Sequence, residues 1–543
     1  MKRTLANLGG WAALSLAVGG VWGCAAATPS APAGSQPTPT PNANRMMSRL
    51  NPNVVEESDT HFVERFPKKD FIRVDETHFR SPIMPRPVKF FKEDEEYFYV
   101  WTPKVLPEVA AAARPEGAEG ATPTPTPLAR TPVVPLADFE DVAASRAVSP
   151  LRFEIAADTG LPRQGLWRAN FVLHDMNGDG ILDVVAPPAR LGGDPKPHVW
   201  LGDGKGHYKA WPLTFTENGK IVPTYAVDYG GIDAGDIDGD GKADFVTVSH
   251  NGGIVSYFGD GQGGFAVCRL GLPQREFSGQ SVALLDLNGD KNLDIVVSRD
   301  GPDDTSKDPV DLNQVRAYLF LKGRSWAFRR DSLPGAAYSY TMNTWDYDRD
   351  GKTDLLIGSH VFASQNLVWK GTGSGEMTPI AFSDLESYAF HFGTRPGSIG
   401  RDAGKRPAFA DAYSKFMQEP LITAVGVNVY SLVDGSWKKQ ILFRKKKANT
   451  FLYAVAMGDV NGDGLDDVVF PDSDLKKVRV FLQGADGSFG EIPADQEPAI
   501  DSPAQCVRLA DVNGDGRVDL VVAKTIASTS PADPGGWSIY LNR

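Results

Sequence analysis

The sequence is poor in cysteine and lacks a long apolar run. Three of its 543 residues are cysteine, and none belongs to a CxxC or other zinc-binding pattern. Cys268 and Cys506 lie far apart in the sequence. Export would allow a disulfide between them, but two separate buried side chains are the simpler interpretation. The apolar stretch from Leu8 to Val21 is too short and too rich in glycine for a comfortable membrane span.

Basic surfaces and short catalytic motifs are also missing. The formal net charge is −12, and no basic stripe indicates nucleic-acid binding. The short basic run at residues 444–447 is typical of a solvated turn. The eight histidines are scattered, and neither G-x-S-x-G nor H-E-x-x-H occurs. An active site assembled from distant segments would leave no such motif, so catalysis is not excluded.

The N-terminus is predicted to be an export signal. A Lys-Arg pair precedes the apolar stretch, and Val21–Cys24 resembles the lipobox of bacterial lipoproteins. The resemblance implies a signal peptide at residues 1–24 and a lipid on Cys24. Trp22 departs from the small residue usual there, which leaves cleavage near residues 25–27 as the alternative. The implied destination is the outer membrane, at the cell surface or its periplasmic face, with the lipid as the only membrane attachment.

Composition divides the rest of the chain into tethers and two further parts. Proline, threonine and small residues dominate residues 25–50 and 107–135, which we expect to be extended and disordered. Residues 51–106 are too aromatic for a linker and short for an independent core. This segment either packs on the main domain or orders with a partner. The main domain spans residues 136–543.

A nine-residue pattern, D-x-[DN]-x-D followed by D at position 9, occurs six times in the main domain. Positions 1, 3, 5 and 9 carry oxygen donors in every copy. Copy by copy, these residues are Asp175, Asn177, Asp179 and Asp183; Asp236, Asp238, Asp240 and Asp244; Asp286, Asn288, Asp290 and Asp294; Asp346, Asp348, Asp350 and Asp354; Asp459, Asn461, Asp463 and Asp467; and Asp511, Asn513, Asp515 and Asp519.

This donor set suits Ca²⁺, a hard cation that takes roughly six to eight oxygen ligands. We predict about six bound Ca²⁺, one per copy. Glycine at position 6 allows a turn with positive φ, and five copies have it. The third copy has Lys291 there, and Asn288 gives it one carboxylate fewer than the copies at Asp236 and Asp346. We therefore predict that the third copy binds most weakly.

Two other interpretations of the pattern fit less well. An EF-hand begins similarly, but it needs a glutamate at position 12 and a helix on each side. Position 12 is not acidic in any copy, and each copy is followed by a short run of branched or aromatic residues typical of a strand. Simple turns also favour Asp, Asn and Gly. Six copies with acids at positions 1, 5 and 9 favour calcium over turns alone.

The spacing of the copies predicts an all-β, seven-bladed propeller. The copies start at similar intervals, except that the interval between Asp346 and Asp459 is about twice as long as the others, and a degenerate copy near Asp411, without calcium, would fill it. Each unit contains four short strands. The last unit ends one strand short, and an unmatched strand, Leu151–Ile155, precedes the first. We predict that it pairs antiparallel with Trp537–Leu541 and closes the ring, with Phe153 and Ile155 on the packed side.

Residues from about 150 to 543 resemble the FG-GAP/VCBS repeat proteins, which share their propeller and calcium loops with the head of integrin α subunits. The resemblance rests on the six loop copies, and the literal Phe-Gly…Gly-Ala-Pro signature is not obvious here. It implies a propeller with calcium loops and leaves the function open, because a fold does not fix a function.

Ligands of related propellers usually bind on the face opposite these loops. His250, Asp300 and His360 occupy the same place relative to the first Asp of their copies, at the start of the turn after the second strand, and Arg299 is adjacent to Asp300. These four are the candidate ligand-face residues, with ordinary solvated loop residues as the alternative. Long connections are expected on the same face at residues 187–197, 301–313 and 383–405.

Two functions from different classes remain. We favour a monomeric, non-enzymatic binding or adhesion propeller that presents a ligand face to a protein or glycan, because tethers and a lipid anchor suit a displayed binding head. The alternative is a polysaccharide lyase or hydrolase on the same scaffold. Such an enzyme would need a convergent set of acid and base groups.

Overall fold

The structure is a computed structural model. It describes residues 54–57, 61–67, 72–73, 78–80, 88–89, 92–95, 97–103, 142–143 and 151–543, apart from 168–169, 190–195, 223–229, 250–251, 275–276, 300–314, 330–332, 334–338, 359–365, 383, 387–388, 402–403, 419–420, 447 and 526–533. The signal peptide, Cys24 and both predicted tethers lie outside these residues. Within them every regular element is a β-strand, and no helix has the length and hydropathy that a membrane span requires.

The aromatic-rich segment contains seven strands in two small antiparallel sheets. One sheet has the order β1-β2-β7-β6 and the other β3-β4-β5. Two further strands, β8 and β9, precede the propeller. Their bounds are β1 Val54–Glu57, β2 His61–Pro67, β3 Ile72–Arg73, β4 His78–Arg80, β5 Val88–Lys89, β6 Lys92–Glu93, β7 Tyr97–Pro103, β8 Val142–Ala143 and β9 Phe153–Ile155.

The main domain is a seven-bladed β-propeller, as the repeat spacing predicts. Each blade is an antiparallel sheet whose first strand is innermost. Blades one to four are β10 Val172–His174, β11 Asp183–Ala186, β12 His198–Gly202 and β13 Tyr208–Ala210; β16 Gly230–Gly235, β17 Asp244–Ser249, β18 Gly253–Gly259 and β19 Gly264–Cys268; β20 Gly279–Leu285, β21 Asp294–Arg299, β22 Val315–Leu321 and β23 Ser325–Arg329; and β24 Met342–Trp345, β25 Asp354–Ile357, β26 Asn366–Gly371 and β27 Met377–Ala381. Blades five to seven are β28 Ala389–Ile399, β29 Arg406–Gln418, β30 Leu421–Val433 and β31 Ser436–Lys446; β32 Ala456–Gly458, β33 Asp467–Asp472, β34 Lys477–Gln483 and β35 Phe489–Glu491; and β36 Ala504–Ala510, β37 Asp519–Lys524 and β38 Gly536–Asn542, completed by β9.

The N-terminal strand closes the ring as predicted. β9 pairs antiparallel with β38, with Phe153 opposite Asn542 and Ile155 opposite Tyr540. Phe153 packs against the apolar cluster between blades six and seven. The prediction that Ile155 packs on the same side is wrong, because the cluster does not extend to it and its side chain is 62% exposed.

Two blades carry extra strands at their outer edges that the repeat pattern does not predict. A hairpin of β14 (Thr214–Glu217) and β15 (Lys220–Val222) extends blade two, with β14 parallel to β19. β8 pairs antiparallel with β31 and extends blade five. Residues that precede the propeller therefore lie on the outer edges of two different blades, five and seven.

Blade five is the degenerate copy, and its strands are 11 to 13 residues long. Its first strand, β28, lies inside the stretch 383–405 that the sequence analysis assigns to a long connection, so that assignment is wrong. Asp411 is a buried residue in the middle of β29 rather than part of a loop. The connection that replaces the acidic loop lies instead between the end of β28 at Ile399 and the start of β29 at Arg406.

The core lies between the blades. In the cluster between blades two and three, Val246 and Phe258 of blade two meet Leu284 and Ile295 of blade three. The second and third strands of most blades are buried on both faces, since blades cover them on either side. This double burial explains why these strands are apolar along their length. It also fixes the orientation of the strands, and therefore the direction in which each loop leaves its blade.

Candidate metal centre

All six acidic loops join the first strand of a blade to its second strand. Position 1 follows the first strand, and position 9 is the first residue of the second strand, as Asp183 is in β11 and Asp244 is in β17. The loops therefore lie on one face of the propeller. They occur in blades one to four, six and seven.

The position-1 aspartate organises the loop through backbone amides. In the first loop Asp175 accepts hydrogen bonds from the N–H groups of Gly178 at 2.7 Å, Asp179 at 3.1 Å and Gly180 at 2.7 Å. The loop at Asp236 repeats the same three contacts. Because these donors come from the loop itself, the carboxylate is held in place by the turn that it stabilises.

Two positions of the loop need a left-handed backbone. Position 6 has φ between 79° and 83° in the five glycine copies, and Lys291 has φ of 75°. Position 4 also has positive φ in every copy, with glycine in five and Arg349 in the fourth. The sequence analysis identifies the requirement at position 6 and misses the one at position 4, although Gly178 and its equivalents signal it.

The position-9 aspartates have a structural role that the pattern does not reveal. All six are fully buried. Each carboxylate accepts one backbone N–H from loop position 2 and one from the third strand of its blade, at 2.7–3.1 Å. Burial raises their pKa values, to about 6 at Asp183 and about 8 at Asp467, and the nearby loop carboxylates add to the rise.

In the two loops that have aspartate at position 3, a cation of the protein pairs with that aspartate. Arg324, from the hairpin of blade three, donates to Asp238 at 2.8 Å and lies 3.6 Å from Asp240. Lys370 pairs with Asp348 and lies 3.2 Å from Asp350. Three of the loops with asparagine there use its Nδ2 to donate to position 5, as Asn177 does at 2.9 Å. The extra carboxylate is thus partly compensated by a cation.

The donor chemistry of these loops fits calcium. At Asp236, Asp238 and Asp244, one carboxylate oxygen from each residue lies within 4.8 Å of the others, and Asp346, Asp348 and Asp354 form an equivalent group. All donors are oxygens on a turn whose backbone is fixed by its own amides, which is the environment that Ca²⁺ prefers. A bound cation would also offset the repulsion among the clustered carboxylates.

The opposite face is described only in part. Of the four candidate ligand-face residues, Arg299 lies at the end of β21 and is 1% exposed, so its position is inside the blade rather than on a surface. The expectation that Arg299 presents a surface contact is therefore wrong. His250, Asp300 and His360 lie outside the described residues.

An aromatic cluster that the sequence analysis missed lies on that opposite face, where the first strands of blades four to six begin. Phe392 is 5.8 Å from Tyr340, 5.2 Å from Phe451 and 4.8 Å from Tyr453, ring centroid to ring centroid. Phe390 is 5.5 Å from Phe392. Four of the five rings are half-buried and Phe392 is buried. The signal in the sequence is the presence of aromatics just before or within the first strand in three successive units.

Blade five has a buried ionic cluster near the same face. Glu386 is 2.6 Å from Lys415, 2.8 Å from Arg444 and 3.4 Å from Lys439. Burial alone would raise the pKa of Glu386, but these cations outweigh it and lower the pKa to about 2. Burial lowers the pKa of Lys415 and outweighs the opposite effect of Glu386, and the charges of Arg444 and Lys439 add to the lowering.

A histidine and an aspartate meet inside the same blade. His391 Nδ1 lies 2.8 Å from Asp411, and both side chains are buried. Burial opposes the charged imidazole, but the Asp411 carboxylate, with Glu386, raises the pKa of His391. A general base must reach its substrate, and this pair is closed to solvent. The two cysteines outside the signal do not form a disulfide: Cys506 is buried and Cys268 half-buried.

The comparisons with known proteins agree with this architecture. The family described as FG-GAP-like repeat matches residues 236–297 and 459–522, each of which contains two acidic loops and the strands between them. The chain thus carries FG-GAP-like repeats on a seven-bladed β-propeller. A comparison with curated proteins found no significant match.

Several solved structures are similar to this chain at low identity. BBS1N, solved in complex with ARL6DN, is 11% identical with a TM-score of 0.43, over 72% of this chain and 96% of that chain. The periplasmic gluconolactonase of Pseudomonas aeruginosa is 13% identical with a TM-score of 0.38, over 61% and 85%. The α-L-arabinanase of Penicillium chrysogenum is 12% identical with a TM-score of 0.34, over 74% and 98%. These likenesses carry no argument about function.

Proposed function

We propose that the protein is a calcium-stabilised binding propeller, exported by a lipoprotein-type signal and tethered through Cys24, that presents the face opposite its acidic loops to a protein or glycan. The observation that carries the binding role is the aromatic cluster around Phe392. Clustered, half-buried aromatic rings are the side chains that contribute most to recognition surfaces.

Bound calcium would stabilise the blades that present this face. Each ion would sit where the first strand of a blade turns into its second strand, ligated by positions 1, 3, 5 and 9. The position-9 carboxylate already links the loop to the third strand, so a cation there would connect three strands of one blade. Six divalent ions would also bring +12 against the formal charge of −12.

A binding role is favoured over the alternative, an enzyme acting on polysaccharides. In the described part of the chain the closest histidine–carboxylate pair, His391 and Asp411, is closed to solvent. Glu386 is held ionised by three cations, which suits a structural anion rather than a proton donor at neutral pH.

The calcium part is tested by metal analysis of the purified full-length protein. We expect about six Ca²⁺ per chain and a lower melting temperature in EDTA, since an ion bound only to the folded state stabilises it by mass action. Asp240→Asn should reduce the number of bound ions by one. Asp260→Asn is the matched control, because Asp260 lies in a neighbouring hairpin turn outside the loops. At limiting calcium, the loop with Lys291 should empty first. One ion or none, with no effect of EDTA, contradicts the calcium proposal.

The binding part is tested on arrays of glycans and of surface proteins. We expect a ligand whose binding falls at least about tenfold in Tyr453→Ala and Tyr340→Ala, with calcium content unchanged. Phe328→Ala is the control, since Phe328 is an exposed aromatic on an outer strand, away from the cluster. Depolymerisation of a polysaccharide by the wild-type protein would contradict the binding role and support the enzymatic alternative.

A further inference from the structure

Three charged side chains converge in the central channel of the propeller. Asp233 lies on β16, Arg395 on β28 and Arg508 on β36, the innermost strands of blades two, five and seven. Each of the three is half-buried, so solvent reaches the channel. Asp233 and Arg508 each stand three residues before the first aspartate of their acidic loops, and Arg395 is bonded to Asn343, which has the same place in blade four. The three side chains therefore lie at one level of the channel, although they are far apart in the sequence, and the charges of both arginines act on Asp233.

The carboxylate of Asp233 is hydrogen-bonded to backbone amides. It accepts hydrogen bonds from the N–H of Leu284, on the innermost strand of the next blade, at 2.8 Å and from the N–H of Ala234 at 3.0 Å. Asp233 thus links blades two and three. Its two oxygens accept amide N–H groups, and its single negative charge is one fewer than the two positive charges of the arginines.

Both arginines are held by neutral groups. Arg395 Nη1 donates to Asn343. Arg508 donates to Asn170 and, at 2.9 Å, to the carbonyl of Val507. Within the described residues neither guanidinium forms an ion pair with a carboxylate, and Nη2 of Arg395 is buried without a hydrogen-bond partner.

The channel therefore carries positive charge that the fold does not neutralise. Burial, and then the neighbouring Arg508, lowers the pKa of Arg395 to about 9, and burial lowers the pKa of Arg508 as well. A buried charge without a partner is costly. Both guanidinium groups nevertheless stay protonated at neutral pH, because arginine is effectively always charged in proteins.

We propose that the central channel binds a small oxyanion, the carboxylate or the tetrahedral oxyanion group of a solute, between the guanidinium groups of Arg395 and Arg508. A planar guanidinium presents paired N–H donors that match two oxygens of such a group. The anion would supply the missing negative charge and the missing acceptor for Nη2 of Arg395. Arg395 lies three residues beyond Phe392 on β28, about 10 Å along the strand, so the site lies below the aromatic cluster but does not depend on the proposed function.

The test is calorimetric titration of the full-length protein with sodium sulfate and, separately, with sodium acetate in an anion-poor buffer containing calcium. We expect saturable binding with one site per chain for at least one of the two probes, and the stronger probe distinguishes a tetrahedral from a planar oxyanion. Arg395→Gln and Arg508→Gln should each weaken binding by at least about tenfold. Arg316→Gln is the matched control, because Arg316 is half-buried over Phe277 outside the channel; it should bind as the wild type does.

A second measurement uses only the wild type, so it does not depend on whether the arginine variants fold. Crystals of the wild type grown with selenate, the heavier analogue of sulfate, should show anomalous scattering between Arg395 and Arg508. Sulfate also stabilises proteins by exclusion from their surface, which is why the test measures saturable binding and not melting temperature. The proposal is overturned if neither probe binds saturably, if the arginine variants bind as well as the control, or if selenate occupies other positions only.

Discussion

Backbone geometry at single residues shapes each acidic loop. Positions 4 and 6 adopt positive φ in all six copies, and glycine fills ten of these twelve places. Lys291 and Arg349 are the two exceptions, with φ of 75° and 59°. A residue with a Cβ is strained there by about 1 kcal/mol or more. Any residue with a Cβ would be equally strained at these positions. Both exceptions differ from other residues in carrying a positive charge beside the clustered carboxylates of the loop.

Replacing Lys291 by glycine should stabilise the folded protein by about 0.5–1 kcal/mol. Relief of the left-handed strain exceeds the entropy that glycine adds to the unfolded chain. The measurement is the urea midpoint at saturating calcium. Lys291→Ala separates the two features of this residue, because it removes the charge and keeps a Cβ at positive φ. Equal gains in both variants would show that charge, and not backbone strain, sets the effect.

Strand length is what separates blade five from the other blades. Its four strands have 11 to 13 residues, and a buried cluster of ion pairs lies near their ends on the face opposite the acidic loops. Glu386 is the centre of this arrangement, with Lys415, Lys439 and Arg444 around it. Removal of Glu386 would leave three cations close together in a mostly buried site.

The stabilising effect of Glu386 should depend on pH. Its pKa is about 2 in the folded protein and 4.5 in the ordinary case. The folded state therefore favours the carboxylate, and the stability it contributes is full above about pH 4.5 and is lost as the pH falls toward 2. The shift corresponds to about 3 kcal/mol.

The check is the difference in unfolding free energy between the wild type and Glu386→Gln from pH 7 down to pH 3. We expect a large difference at pH 7 that shrinks below pH 4.5. Asp384→Asn is the control, since Asp384 pairs with Lys439 at 3.0 Å but is 64% exposed, and such pairs contribute little. A difference that stays constant or grows with acid would contradict the assigned role of Glu386.

Closure is a property of the whole ring. β9 completes blade seven and β8 extends blade five, so one stretch of chain ahead of the propeller contributes to two blades. Leu151 adds a hydrogen bond from its N–H to Gln496 of blade six at 2.9 Å. Each blade depends on its neighbours to cover its apolar faces, so opening the ring at one point should affect all of it.

Deletion of residues 136–156 should therefore lower the melting temperature of the whole propeller or cause aggregation through the exposed edge of β38. Deletion of residues 25–130 removes more chain but neither of these strands, and it should leave the propeller folded. Circular dichroism melting and size-exclusion chromatography measure both effects. If the shorter deletion is harmless, closure by β9 does not stabilise the ring.

Some features of the protein follow from its sequence alone because their cause is local. Repeated acids and glycines within each short pattern define the loops, since a turn and its donors lie in one segment. Branched residues after each loop define strands, and the unmatched strand at Leu151–Ile155 indicates closure because an incomplete blade leaves a bare edge. The number of blades follows from the spacing of these local signals, including the double-length interval between Asp346 and Asp459.

Other features were decided only by the tertiary structure, because they depend on which segments meet. The exposure of Ile155 depends on how far the neighbouring blade reaches. The pairing of Arg324 with Asp238 joins two blades through residues that are distant in the sequence. The charged channel brings Arg395, from the blade without an acidic loop, beside Asp233 and Arg508, which both stand three residues before the first aspartate of their loops. Closing seven sheets around one axis places distant residues side by side, and a linear pattern carries no record of that proximity.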